Sequence, residues 1–364
     1  MPAMTSPAPY SRWRHWLAGV SLVEVMVAMT LGMIIIAGLG YIYLSAASAF
    51  RSLEAASRVQ ENVRFAFERI SHDVRMAGFT GCSYSQTFNE LANPSIWYQN
   101  LFGRPLTGYD DASAAIPAEF ASARDGDSQA RPRLRGDALV VLRADDSRDY
   151  LVAVSSVPEL TLGPSYDPVS RTMKVPDDIV AGERLVATDC NRATLLQAQS
   201  AVSAGTLAIN VSDSTKLAMA PFRMHKFLGS AYYIANNDSG EPALYWLRLS
   251  DGLASPVAEE LVPGVEAMEV RYGVDTGSPP DGSVDVYTSA EGVLAAAAGA
   301  TDDDKWRRVL AVRVSLVTVS TAAQQINSQI VPYWFGGVQV TPGDRRMRKV
   351  FTTTIAIRNP RTPT

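Results

Sequence analysis

One carboxylate, Glu24, lies inside a long apolar stretch near the start of the chain. It is the only charged residue between Val20 and Leu44. A charge in an apolar span costs at least a few kcal/mol on insertion scales, so its presence is by default a functional signal. A buried carboxylate of this kind must be protonated or paired with a cation. In the alternative interpretation, Glu24 reaches the water interface, because it lies only one turn into the span.

Three further carboxylates are close enough in sequence to suggest an ion site. Asp275, Asp281 and Asp285 surround a turn at Gly282. Calcium prefers several oxygen ligands, so this spacing makes a Ca²⁺ site the candidate, although the segment lacks the regular EF-hand spacing and its closing Glu. The competing interpretation is a solvated turn between two strands.

The two cysteines, Cys82 and Cys190, show no metal-binding spacing. Without a CxxC or Cys/His cluster, a zinc site is not expected. If this part of the chain lies outside the cytoplasm, the simplest use of two cysteines is one disulfide; two unpaired buried thiols are the alternative. A disulfide closing a loop of about 108 residues would stabilise the fold by up to ~4–5 kcal/mol in the chain-entropy model.

Composition and motifs exclude several classes of function. The chain has 364 residues and a formal net charge of -4, with no long block of one sign, so nucleic-acid binding is not expected. It has no Gly-x-Ser-x-Gly, P-loop, HExxH or GxGxxG motif. His72 and His225 are far apart, and a lone surface His such as His72 is usually solvated or hydrogen-bonded. We therefore expect no enzyme and no cofactor other than the candidate Ca²⁺.

The apolar stretch is long enough to cross a membrane. A helix over residues 20–44 would span a hydrocarbon core of about 30 Å. Arg12 and Arg14 precede it and predict a cytoplasmic N-terminal end. Three interpretations compete: an uncleaved anchor, a secretory signal cut after Ala47-Ser48-Ala49, and cleavage before the apolar run.

The residues around Glu24 resemble the class III signal of type IV prepilins. Gly19 is followed by Val20, and Glu24 is the fifth residue after Gly19. The resemblance implies that prepilin peptidase cuts between Gly19 and Val20 and that Val20 is then methylated. It also implies that the apolar helix is kept as membrane anchor and polymerisation stem. Glu24 would then pair with the amine at Val20 of a neighbouring subunit.

A helical pattern continues beyond the span. One apolar face steps by four and three residues through Val63, Phe67, Ile70, Val74 and Ala77, which is the period of an amphipathic helix. The helix is expected to stop near residue 78, a Gly. The pattern around it, Asp-x-Arg-x-Ala-Gly-Phe from residue 73 and then Gly-Cys, resembles the PilW-type minor pilins.

The rest of the chain reads as a β-rich head, and the fold class is α+β. Residues 83–135 are expected to form a long irregular loop packed on the head, and residues 288–305 a surface excursion with a solvated tip at 302–304. A hairpin is expected at 226–236 and 242–249, around a polar turn. Residues 136–139, 272–275 and 355–359 again resemble PilW-type sequences. Strands are expected at 136–143, 150–155, 158–162, 170–174, 184–189, 206–211, 226–236, 242–249, from 261 onward, 309–319 and 351–359.

Four domains follow from this interpretation: a cleaved leader (1–19), a transmembrane and polymerisation helix (20–49), an amphipathic upper helix (50–78) and a periplasmic head (79–364). The resemblance implies a minor pilin in the bacterial inner membrane and then in the pilus, acting in pilus assembly and twitching motility. Its partners would be prepilin peptidase, other minor pilins, the major pilin, the assembly platform and a tip adhesin. The alternatives are a type II secretion pseudopilin and a membrane-anchored periplasmic binding or enzymatic domain.

Overall fold

A computed structural model describes residues 21–358, except residues 83, 94–95, 112, 114, 168, 250–255 and 321–328. The expected α+β class is confirmed, because one long helix precedes a large β-rich head. The chain divides into two units, Met1–Glu54 and Ala55–Thr364. The described residues form four α-helices, which are α1 (Leu22–Arg75), α2 (Ala118–Ser122), α3 (Ala290–Ala296) and α4 (Asp302–Trp306).

The strands of the head are short except for three long central ones. In chain order they are β1 (Gln86–Asn89), β2 (Leu106–Tyr109), β3 (Ala138–Ala144), β4 (Tyr150–Ser156), β5 (Glu159–Leu162), β6 (Ser165–Asp167), β7 (Thr172–Lys174), β8 (Arg184–Thr188), β9 (Arg192–Gln197), β10 (Thr206–Ala208), β11 (Phe222–Asn236), β12 (Pro242–Leu249), β13 (Val257–Pro263), β14 (Val265–Val274), β15 (Val286–Thr288), β16 (Val309–Val319), β17 (Tyr333–Phe335), β18 (Val338–Val340) and β19 (Arg348–Ala356).

In the first unit, the apolar side chains of α1 are exposed. An 18-residue stretch of this helix has a mean hydropathy of 2.3, and none of it is buried. Ile36 is 71% exposed and Tyr41 is 76% exposed. Length and composition therefore suit a membrane anchor, although a signal sequence would pass the same test.

In the second unit, the end of α1 is part of the core. Val63, Ile70, Val74 and Ala77 are almost completely buried and Phe67 packs against the same cluster, so the predicted apolar face is confirmed. The helix ends at Arg75 in a turn that closes at Gly78, whose φ of +74° lies in the left-handed region. A residue without Cβ adopts that conformation without steric cost, which accounts for the helix stop.

The 15-residue strand β11 is the centre of the larger sheet. It pairs antiparallel with β3, β4, β8 and β12. The predicted hairpin is β11 and β12, with Asn236 opposite Pro242 across the polar turn. A second sheet has the order β15-β14-β16-β19, and all its neighbours are antiparallel. The first strand of the head, β1, pairs in parallel with β9.

Three buried clusters hold these layers together. One lies between α1, the four-stranded sheet and one face of β3, β11 and β12. Another covers the opposite face of those three strands, and the third joins β4, β5, β8, β9 and β10. The end of α1 therefore packs between two sheets, and the segment after it closes the outer side of the larger sheet.

Two predictions about loops are wrong. Residues 83–135 contain β1, β2 and α2, so they are not one irregular loop, whereas their predicted packing on the head is confirmed by the burial of Leu101, Phe102 and Phe120. Residues 288–305 contain α3 and most of α4 rather than a surface excursion, and Val293 and Trp306 are buried. In both places isolated apolar residues without a regular period gain their structure from packing on a sheet, which local patterns do not reveal.

Candidate assembly site

Glu24 lies in the first turn of α1 and is exposed among apolar neighbours. A carboxylate is favourable at this end of a helix, because the free backbone N–H groups carry partial positive charge. The amine that would pair with it belongs to Val20. Gly19 and Val20, the predicted cleavage positions, lie outside the described residues. Cleavage, methylation and pairing of Glu24 therefore stay predictions.

The end of α1 is joined to the head by a buried ion pair. Asp73 is fully buried, and its Oδ1 accepts a hydrogen bond of 3.0 Å from Nε of Arg143, at the end of β3. The Tyr232 hydroxyl on β11 donates to Oδ2 of the same carboxylate over 2.7 Å. Nη2 of Arg69 lies 3.8 Å from that oxygen. One carboxylate thus connects α1 with two strands of the larger sheet.

Burial by itself would raise the pKa of Asp73. Arg143 and Arg69, together with hydrogen bonds from Tyr232 and Ser230, outweigh burial and hold that pKa below the usual value of 3.8. Asp73 is therefore charged at neutral pH. Such a buried charge holds the elements that carry its partners in place. Moving any partner away would leave the charge buried without full compensation, which is energetically costly.

The resemblance at residues 136–139 corresponds to a second connection, between the two sheets. Oδ2 of Asp137 accepts a hydrogen bond of 2.8 Å from the backbone N–H of Val270 on β14, and its own N–H donates to the carbonyl of Met268 over 2.9 Å. Gly136 has a φ of +78°, and a Cβ there would lie 2.7 Å from the carbonyl oxygen of Met268. Gly136 thus permits the close approach to Met268, and Asp137 supplies the hydrogen bonds to β14.

Burial raises the pKa of Asp137 to about 6, and the nearby carboxylates of Asp110 and Glu269 act in the same direction. The backbone N–H groups of Val270 and Asp111 oppose this shift. Desolvation is the largest cause, so the negative charge at this position is costly at neutral pH.

The last PilW-like pattern, at residues 355–359, contacts the end of α1. Ile355 is buried in the cluster that contains Ile70 and Val74, and the backbone N–H of Arg358 donates to the carbonyl of Arg75 over 3.1 Å. The four patterns that carry the resemblance, at residues 73–82, 136–139, 272–275 and 355–359, therefore meet around one core.

The cysteines form one disulfide. Cys82 and Cys190 have Cα atoms 5.2 Å apart and are bonded to each other, so the disulfide interpretation is confirmed over that of free thiols. The bond connects the segment after α1 to the turn between β8 and β9. His72 and His225 contact two neighbouring residues of the turn after β3. His72 lies 3.3 Å from a carboxylate oxygen of Asp146, and burial lowers the pKa of His225, whose Nδ1 is 3.0 Å from the carbonyl of Asp145.

The carboxylates of the Ca²⁺ candidate are occupied by local hydrogen bonds. Asp275 accepts from the backbone N–H groups of Gly277 and Gly282, at 3.0 and 2.8 Å. Asp285 accepts from Thr276, and Asp281 accepts from Ser283. No group of three or more His, Cys, Asp or Glu in the described part of the chain could hold a metal ion. The calcium site stays a prediction from sequence.

The acidic run at 302–304 is not the solvated tip that we expected. It forms the first turn of α4, where Thr301 and Asp304 make a capping box. Arg104 forms ion pairs with Asp302 and Asp303. Acidic side chains favour the start of a helix, which is the physical signal that the interpretation as a loop overlooked.

Sequence reasoning also missed the pair of Asp73 and Arg143, although a signal was present. Asp73 lies three residues after Ile70 and four before Ala77, so it falls on the apolar face of α1. A charged residue at such a position requires a buried partner. The identity of that partner, 70 residues further along the chain, is a property of the fold.

Comparison with known proteins agrees with this geometry. Residues 231–359 match the family model of PilW, described as Type IV Pilus-assembly protein W. No curated protein and no solved structure matches the chain. The long apolar helix, the β-rich head and this match define a type IV pilus assembly-related protein. The resemblance to PilW is confirmed, and the chain carries a PilW-family region over about a third of its length.

Proposed function

We propose that this protein is a minor pilin of the type IV pilus. Prepilin peptidase would remove residues 1–19 and methylate Val20. The protein would then be held in the inner membrane by its apolar helix, with a cytoplasmic N-terminus and a periplasmic head. From there it would join the other minor pilins and the major pilin on the assembly platform, and help to start the fibre in a tip complex that presents an adhesin. Its role is structural, not catalytic, and serves twitching motility and adhesion.

This proposal is supported by the presence of two features in the same chain. An exposed apolar helix with a single carboxylate in its first turn leads into a head that matches PilW. In a fibre, such a helix would be buried among identical or similar helices, and the carboxylate would need a cation there. Cleavage after Gly19 would create that cation at Val20. The sequence around the carboxylate and the need to compensate a buried charge both support cleavage after Gly19.

Mass spectrometry of the mature N-terminus tests the processing step. We expect a methylated Val20 as the first residue, and an uncut precursor for Gly19→Ala. The matched control is Gly32→Ala, in the apolar helix, where an added Cβ meets nothing within 4 Å; this variant should be processed normally. An intact leader in the wild type, or a mature protein that starts at residue 50, would contradict the proposal.

A deletion strain tests the assembly role. Loss of surface pili with normal protein secretion is the expected phenotype, whereas a secretion defect with normal pili would identify a type II pseudopilin. Complementation with Glu24→Gln should leave pili absent, because the amide cannot form an ion pair with the Val20 amine. Glu61→Gln, a change at an exposed position higher in the same helix, should restore them.

A further inference from the structure

A pocket of about 620 Å³ opens in the head, mostly within the segment 83–135 that we predicted to be a loop. It is formed by the segment before β2, by β2 itself, by the start of α2 and by α4. We call it the head pocket. The lining residues that matter for its chemistry are Trp97, Asn100, Arg104, Thr107, Tyr109 and Glu119.

The aromatic rings of the head pocket are held in place from below. Phe120 is fully buried, and its ring centroid lies 5.8 Å from that of Trp97 and 6.1 Å from that of Tyr109. Tyr233 on β11 packs edge-on against the other side of Phe120 at 5.5 Å. Trp97 and Tyr109 are half-buried, so they keep aromatic surface available beside the pocket. The face of an aromatic ring is flat and carries weak negative charge, which makes it a contact surface for a ligand.

The polar groups of the pocket differ in how many hydrogen-bond or ion-pair partners they already have within the protein. Arg104 is neutralised by Asp303 and Asp302. The side-chain oxygen of Asn100 accepts from the N–H of Gly103 at 3.1 Å, which leaves its amide hydrogens for another acceptor. Glu119 has no hydrogen-bond or ion-pair partner among the residues that the structure describes.

Arg104 and Glu119 both act on the Tyr109 phenol. Burial is the main reason why the pKa of Tyr109 rises to about 12; Arg104 opposes the rise and Glu119 adds to it. The phenol is therefore neutral at physiological pH and able to both donate and accept a hydrogen bond. The pocket thus combines two rings, an acceptor carboxylate, a donor amide and two hydroxyls, those of Tyr109 and Thr107.

We propose that the head pocket binds a neutral saccharide, with a sugar ring against Trp97 and Tyr109 and sugar hydroxyls bonded to Glu119, Asn100 and Thr107. Sugar hydroxyl groups both donate and accept hydrogen bonds, so they match a pocket lined by donors and acceptors. The C–H face of a sugar ring suits the electron-rich face of an aromatic ring. The volume lies within the range of small-ligand sites and exceeds what one amino-acid side chain would fill.

Charged ligands fit this lining less well. An anion would meet Glu119 and the aspartates of α4, and a cationic side chain would find those aspartates already paired with Arg104. The proposal goes beyond a role in pilus assembly and does not depend on it. Loss of sugar binding would leave processing at Gly19 and fibre formation unchanged.

The test uses the full chain in a zwitterionic detergent, because alkyl glycoside detergents would compete for the site. The protein is applied to an array of neutral mono- to tetrasaccharides, and the best ligand is then titrated by calorimetry. We expect saturable binding by the wild type. Glu119→Gln should weaken it about tenfold or more, because a charged carboxylate accepts a stronger hydrogen bond from a hydroxyl than a neutral amide does. Tyr109→Phe, which keeps the ring and removes the hydroxyl, should weaken it to a smaller extent.

Matched controls separate the pocket from general effects. Glu159→Gln changes an exposed carboxylate on β5, and Tyr166→Phe changes an exposed tyrosine on β6; both should bind as the wild type does. Circular dichroism melts verify that the two pocket variants are folded. The proposal is overturned if no neutral saccharide binds at millimolar concentration, if the pocket variants bind unchanged, or if a lysine-rich peptide binds in place of every sugar.

Discussion

Asp73 near the end of the N-terminal helix and Arg143 at the end of a central strand form a buried ion pair with a hydrogen bond of 3.0 Å. The side chains are 0% and 5% exposed. The pair lies where the helix enters the core between the two sheets, and Tyr232 completes the shell around the carboxylate. The ion pair is therefore a buried polar connection between the N-terminal helix and the larger sheet.

Removing one member of the pair should be strongly destabilising. Arg143→Gln leaves the Asp73 carboxylate buried with fewer partners, and breaking a buried pair in this way typically costs about 3–5 kcal/mol. The matched control is Arg223→Gln, which breaks a half-exposed ion pair of 3.1 Å with Asp149 and should cost no more than about 1 kcal/mol. Urea unfolding of the full chain in detergent measures both.

A double variant, Asp73→Asn with Arg143→Gln, sharpens this test. It removes both charges, so it should recover part of the loss seen with Arg143→Gln alone. Equal losses for Arg143→Gln and Arg223→Gln would mean that the buried pair does not hold the helix.

The pH dependence of stability should show the titration of Asp137. Its pKa is raised in the folded protein from 3.8 to about 6. The folded state then holds a proton that the unfolded state has lost, so this group favours folding below pH 4 and that contribution disappears as pH rises through 6. The full effect is up to about 3 kcal/mol, at about 1.4 kcal/mol per pKa unit.

Urea unfolding between pH 4 and pH 7 measures this effect. Asp137→Asn should flatten the decline in the free energy of unfolding over that interval, whatever its effect at a single pH. Asp281→Asn is the control, because the pKa of Asp281 is lowered by hydrogen bonds from Ser283 and its titration lies below the window. An unchanged slope in Asp137→Asn would refute the raised pKa.

The two glycines Gly136 and Gly282 offer a matched comparison of backbone strain and close contact. Both have a φ of +78°, but a Cβ at Gly136 would lie 2.7 Å from the Met268 carbonyl oxygen, whereas at Gly282 it would meet nothing within 4 Å. Alanine at either position carries the left-handed cost of roughly 1–2 kcal/mol. Gly136→Ala should lose roughly 1–3 kcal/mol more, because the sheets must move apart. Thermal unfolding of the two variants gives the difference, and similar melting temperatures would contradict a close contact.

The disulfide should contribute substantially to stability. A double Cys82→Ser and Cys190→Ser variant removes the cross-link over a sequence separation of 108 residues. In the chain-entropy model the loss approaches ~4–5 kcal/mol. Under a reducing agent, wild type and variant should unfold at nearly the same urea concentration. A variant as stable as the oxidised wild type would show that the bond adds nothing.

The elements with a regular local period could be predicted from the sequence. The face of the stem helix followed from apolar residues at steps of four and three, and the β11–β12 hairpin followed from two apolar runs around a polar turn. Gly78 marked the end of the helix. In each case the signal lies within a few residues of the structure that it specifies.

The remaining parts depend on contacts that are distant in sequence. The parallel pairing of β1 with β9 joins Gln86 to Arg192, and nothing in either short segment identifies the other. The head pocket is built from single residues such as Trp97 and Tyr109, whose rings pack on Phe120. Such residues have no period of their own, so propensity favours a loop until the sheet beneath them is known.

The disulfide has a mechanical consequence for a protein whose stem helix would bear load. Tension applied through that helix would first strain the hydrogen bonds that join Gly78 and Phe79 to the end of β3, and the ion pair of Asp73 with Arg143. If these yielded, extraction of the chain would stop at Cys82, because a covalent bond anchors it to the turn at Cys190. The strands between the two cysteines, β1 to β8, would then be shielded from the applied force, which would pass through the bond directly to the turn before β9.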